Sequence, residues 1–201
     1  MNFQEMLKKP SVIVGAIVAI VVITGAVVAS VSMQESRAQA SNDLLFKARK
    51  SLETEAKALA VSPAPSATPK TIQSAGGTDA SAEFQKLDVD SKFPESLKNF
   101  NRVIDSYPST RAAFEARLAL GSLYFNHGDA VHAQQWFQQA ADHAPHAADH
   151  AFALQSVGYA LENQGKLSDA AQTYKKALDY GNNEIKSDLD TAIARCTAGK
   201  S

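Results

Sequence analysis

Two stretches, Leu120–Pro145 (LGSLYFNHGDAVHAQQWFQQAADHAP) and Val157–Asn182 (VGYALENQGKLSDAAQTYKKALDYGN), lie 37 residues apart and superpose without a gap. Gly121 falls on Gly158, Gly128 on Gly165, Ala133 on Ala170, Phe137 on Tyr174 and Ala140 on Ala177. The same spacing reaches back to Ser96, Phe100, Val103 and Pro108. This many coincidences at one period mark an internal repeat. Within each copy the apolar residues recur at three- and four-residue steps, the period of a helix face, and no run alternates as a strand does. The fold class expected is therefore all-α. Gly121 and Gly158 have no side chain and Ala133 and Ala170 almost none, so antiparallel helices can approach closely there, with Tyr124, Phe137 and Tyr174 filling the space beside them.

Working outward, Ala38–Ala60 carries Leu45, Ala48, Leu52, Ala56 and Leu59 as one apolar stripe, which reads as a helix. Residues 62–90, beginning SPAPSATP, are rich in Pro, Ala, Ser and Gly and read as a linker. The repeated part, 91–197, opens with a second helix (Pro94–Tyr107) that lacks a clear first one. Leu44–Ala60 is expected to supply it across the linker, a short helix near Ala80–Leu87 being the alternative. At the far end Ile185, Leu189, Ala192, Ile193 and Cys196 form a stripe expected to cap the array.

Toward the N-terminus, Ser11–Met33 contains no charged residue and is long enough for a helix to cross a hydrocarbon core of about 30 Å. Lys8 and Lys9 precede it, while Glu35 and Arg37 follow, a bias that favours an inside N-terminus. The expected organisation is a cytoplasmic tail (1–10), a transmembrane helix (11–33), an adjoining helix (34–61), the linker and the array. A cleaved signal peptide is the rival reading, but the apolar run exceeds the usual signal core. The chain has 201 residues, 20 Lys plus Arg against 21 Asp plus Glu, and a net charge of -1, so no whole-chain positive excess drives binding to nucleic acid, and no nucleic-acid partner is expected. Its single cysteine, Cys196, excludes an internal disulfide or a Cys-rich zinc site.

Leu120-Gly121, Tyr124, Ala133, Phe137 and Pro145, followed by Val157-Gly158, Ala170, Tyr174 and Ala177, resemble the tetratricopeptide repeat family in residue type and offset. Arg117 stands where the family often has Trp, and Asn182 replaces the second Pro. The usual repeat has about 34 residues, so the extra ones are expected around Ser109–Ala113 and Ala148–His150, as longer turns with the helices extending into them. The resemblance implies a small α-α superhelix. It also implies a groove on the first helix of each pair, lined here by Leu118, Ser122, Phe125, Asn126, Phe152, Gln155, Tyr159, Glu162 and Asn163. The whole architecture is similar to that of the bacterial ancillary subunit of the protein-export translocon. That likeness implies an inner-membrane, single-pass protein with a periplasmic array and a chaperone-like adaptor role. Its partners would be translocon components or exported clients. The alternative is a scaffold subunit of a pilus, secretion or cell-division assembly.

No catalytic motif is present, and neither an enzymatic activity nor a cofactor is expected. Gly199-Lys200-Ser201 resembles the end of a phosphate-binding loop, but Ala194 stands where the first glycine belongs. His127, His132, His143, His146 and His150 crowd the first repeat and its exit turn. A metal site at His146 and His150 is possible on spacing, but polar helix termini explain these residues as well, and no metal is expected.

Overall fold

The computed structural model describes residues 10–61, 87–181 and 184–198, without the side chains of 10–29 and 61. Residues 1–9 of the expected cytoplasmic tail, residues 62–86 of the expected linker with most of the alternative helix near Ala80–Leu87, Asn182 and the Gly199-Lys200-Ser201 end lie outside the described residues, as do the side chains of most of the apolar run. The protein is all-α: the described residues form eight helices and no strand. These are α1 (Pro10–Val61), α2 (Val89–Lys92), α3 (Pro94–Ser106), α4 (Arg111–Asn126), α5 (Ala130–Asp142), α6 (Ala147–Asn163), α7 (Leu167–Leu178) and α8 (Lys186–Ala198).

The chain divides into two units, up to Ala40 and from Ser41 onward. The first is the N-terminal part of α1, where Val31 and Met33 are exposed and Ser36 Oγ donates to the Ser32 carbonyl at 2.9 Å. Among the described residues no helix is long and apolar enough to cross a membrane.

In the second unit each of α3 to α7 packs on the helices before and after it in the chain, and α8 packs on α7. The 37-residue period reappears as geometry. The Phe137 ring lies where a side chain on Gly121 would be, and the Tyr174 ring does the same at Gly158. Ser96, Ala133 and Ala170, at the same repeat position, are all fully buried. Gly128 and Gly165 end the first helix of each pair at φ of 81° and 74°, the left-handed conformation that costs glycine least. Thr110 and Asp129 cap α4 and α5 by accepting from Ala113 N and His132 N.

The extra residues of the repeat extend the helices, as one part of the expectation had it, and do not lengthen the turns. Only residues 107–110 and 143–146 separate the pairs, and α4 and α6 run to 16 and 17 residues against 13 and 12 for α5 and α7. A helical residue satisfies its backbone internally, which a longer loop does not. The linker also ends earlier than residue 90. Asp88 caps α2, Val89 and Phe93 are buried in the core, and Tyr124 Oη donates to Asp90 Oδ1 at 2.8 Å.

The C-terminal half of α1 completes the first pair. Leu45 and Ala48 are buried against Phe100, Val103, Ile104 and Leu120. Glu55, rather than the neighbouring Ala56, turns toward α3: its carboxylate accepts from Glu95 N and Ser96 N at 3.0 Å each, and from the Ser96 hydroxyl. Phe93, the residue preceding α3, has no side chain that could do this. At the other end Leu189, Ala192 and Cys196 of α8 are buried, with Ile185 and Ile193 packed beside them. Burial and the nearby Glu162 carboxylate push the Cys196 thiol up, away from the reactive thiolate. Arg117 is also buried, donating through Nη1 to the Pro108 carbonyl at 3.2 Å, and burial lowers its pKa.

Candidate functional site: the inner face of α4 and α6

Charge pairs join the first helices of successive pairs side by side. Arg49 Nη2 of α1 lies 2.7 Å from Glu115 Oε2 of α4, and Arg111 Nε lies 3.1 Å from the other oxygen of the same carboxylate. Arg111 Nη1 in turn lies 2.5 Å from Asp149 Oδ2 of α6. Partial burial opposes the charge on Arg111, but the two carboxylates hold its pKa above the ordinary value. On the far side of α6, Glu162 accepts from Arg195 Nε and Nη2 of α8 at 2.8 and 2.7 Å, and from Tyr174 Oη at 2.6 Å. Burial works against its ionisation, yet these donors prevail and the carboxyl titrates below its usual range. The phenol of Tyr174 is driven up by burial and by the same carboxylate.

These pairs fix α1, α4, α6 and α8 in one row, and the groove residues fall into two sets. Ser122, Asn126, Phe152, Tyr159 and Asn163 are exposed, with Phe152 and Tyr159 retaining 47% and 38% of their surface. Leu118 and Phe125 are half-buried in the core, Phe125 with its ring 6.5 Å from that of Phe137. Gln155 is buried and donates to Tyr159 Oη at 3.1 Å, while Glu162 is occupied by the α8 contacts. Tyr159 also meets Tyr174 edge-on at 5.7 Å, and burial raises its phenol. The open face is therefore two aromatic side chains on α6 beside a small polar strip on α4, with Gln155 and the Tyr174 ring holding Tyr159 in place. Sequence reasoning did not find Arg49, Arg111, Asp149 and Arg195, which brace this face. The i, i+4 spacing of Arg111 and Glu115 was the one local signal available.

No protein-family model and no curated protein sequence matches the chain.

The histidines are dispersed among structural tasks. His127 packs on Phe93, with ring centroids 5.1 Å apart, and burial lowers its pKa. His132 Nδ1 lies 2.8 Å from Asp129 Oδ2, and its ring stacks on Tyr124. His143 Nδ1 meets the Gln139 carbonyl at 3.0 Å, His146 precedes α6, and His150 stacks on Tyr180 at 4.0 Å. Among the described residues no group of three His, Cys, Asp or Glu is placed to hold a metal ion. Among the described residues there are cavities of about 320 and 310 Å³. The first lies between His150, Thr173, Lys176 and Tyr180, the second between Asp88, Asp90, Tyr124 and His132. Neither contains a nucleophile paired with a base.

Proposed function

We propose that this chain is a membrane-anchored adaptor of the tetratricopeptide repeat class that holds segments of other proteins on the inner face of α4 and α6. One observation carries the reading: Phe152 and Tyr159 stand exposed, seven residues apart on one helix face, in a row of helices that ion pairs join. Large aromatics fixed on a rigid element and left in water favour a partner that covers them. The 37-residue period and its glycine–aromatic contacts support the repeat class. The uncharged run 11–33 and its flanking lysines support a single anchor in a bacterial inner membrane, with the N-terminus cytoplasmic and the array periplasmic. In this reading the protein has a chaperone-like part in protein export, meeting translocon components or their clients, and performs no chemistry of its own.

A photo-crosslinking residue placed at Phe152 or Tyr159 of the full-length chain in its membrane tests this. Many crosslinked products of different mass are expected. A single stoichiometric product would instead indicate a scaffold subunit of an envelope assembly. Yields no higher than those from exposed Lys175 on α7 would refute both.

A further inference from the structure

Among the described residues the buried apolar side chains form two clusters. The larger runs from Val89 and Phe93 through α4–α7 to Leu189 and Cys196 of α8. In the smaller one, Leu45 and Ala48 of α1 lie with Phe100 and Val103 of α3 and Leu120 of α4. Half-buried Leu52, Leu97 and Trp136 touch both. We propose that the half of α1 from Ser41 to Ala60 is a latch: it opens as one unit while α4–α8 stay folded, and the seat it leaves takes up an amphipathic helix of a partner protein in its place. This seat is distinct from the exposed face of α4 and α6, and the proposal holds whether or not that face binds a partner.

Between Ser41 and Ala60 only Ser41, Leu45 and Ala48 are buried, and Leu52 and Leu59, the contacts with the larger cluster, are half-buried. Helix α4, by contrast, buries Phe114, Leu120, Leu123 and Tyr124. A segment with few buried apolar contacts opens at a lower free energy than the whole fold. Residues 62–86 separate the latch from the described part of the array, whereas 127–129, 143–146 and 164–166 suffice to join α4 to α7. A loop that long costs more entropy to close, and no short turn holds the latch in its seat. The polar contacts are also separable. Arg49 stays 58% exposed in its pair with Glu115, a carboxylate that keeps Arg111 when α1 leaves. Opening uncovers Phe100, Val103 and Leu120, all fully buried with α1 in place, and such a surface favours a replacement helix. What α1 supplies defines that replacement: Leu45 and Ala48 for the apolar seat, Arg49 for Glu115, and Glu55 for the N–H groups of Glu95 and Ser96. A purely apolar helix would cover the first turn of α3 and leave those groups without an acceptor.

Amide exchange of the full-length chain in lipid nanodiscs tests the opening. The amides of Leu45 to Leu59, with those of Glu95 and Ser96, are expected to exchange at one common rate at least about tenfold faster than the interior of α6. Exchange of this segment at the rate of α6 would show that α1 leaves only when everything unfolds, and would overturn the latch. A fluorescent peptide of residues 41–61 then probes the seat by anisotropy. It is expected to bind the Leu45→Asp chain at least about tenfold tighter than the unaltered one, because the tethered copy no longer competes. Glu55→Ala in the peptide should weaken binding roughly tenfold. A bismaleimide joining Ser51→Cys to Asn99→Cys, whose parent side chains lie 3.2 Å apart, should abolish binding to the chain with Leu45 intact. No binding to a Leu45→Asp chain whose α6 amides remain protected, or binding undiminished by the crosslink, would overturn the exchangeable seat. Should Leu45→Asp leave α6 unprotected, the smaller cluster is indispensable to the array, and that too overturns the proposal.

Discussion

At Gly158 a single hydrogen decides whether two helices can meet. Replacing Gly by Ala in an exposed helix interior gains about 1 kcal/mol, but here the new methyl would overlap the ring of Tyr174. That ring is fully buried, and its hydroxyl is committed to Glu162, so it cannot swing aside cheaply. Gly158→Ala is expected to destabilise the fold by about 2–3 kcal/mol, read as a shift in the urea midpoint. Gly121→Ala should cost less, because Phe137 has no polar tether and can yield by a small rotation. The glycine–aromatic pairs were legible because a steric requirement recurring every 37 residues leaves the same residue types each time. Arg117 was legible only as a departure from the pattern. That it is buried and bonded to a turn carbonyl depends on how the α3–α4 turn folds back, and the spacing does not encode this.

Helix α3 depends on a residue 41 positions away for its N-terminus. The free N–H groups of a first turn need an acceptor, and Glu55 supplies one from α1. Glu55→Ala is expected to cost about 1–2 kcal/mol and to speed amide exchange at Glu95 and Ser96, while exchange in α7 stays unchanged. The apolar stripe of α1 identified the helix and most of its buried face, but it placed Ala56 inward where Glu55 turns instead. A cap donated across a linker leaves no local signature. The same holds for the inner face. Position within the repeat put Gln155 and Glu162 in the groove, but only the three-dimensional reach of Tyr159, Tyr174 and Arg195 shows that both side chains are already engaged. The boundaries moved for a related reason, since Val89 is drawn into the core by contacts with helices that follow it in the chain.

Across the whole molecule, two titrating groups act in the same direction. His127 has a folded pKa below its ordinary 6.5, so the unfolded chain takes up the proton first and stability declines as pH falls below about 6.5. Glu162 has a folded pKa below 4.5, so its contribution is present above that value and is lost as pH falls through the folded pKa. Denaturant midpoints measured from pH 7 to pH 3 should therefore fall in two stages. His127→Gln should flatten the upper stage, and Glu162→Gln should flatten the lower one while reducing stability at pH 7. The remaining consequence concerns the order of synthesis. Helices α4 to α7 each find a partner in the next few residues to be made, whereas Leu45, Ala48 and Glu55 on α1 must wait for Phe100 and Ser96. At about 5–20 residues per second, the docking face of α1 stands uncovered for several seconds on every newly made chain. In that interval it is open to chaperones, proteases and neighbouring nascent chains, a hazard the rest of the array is spared.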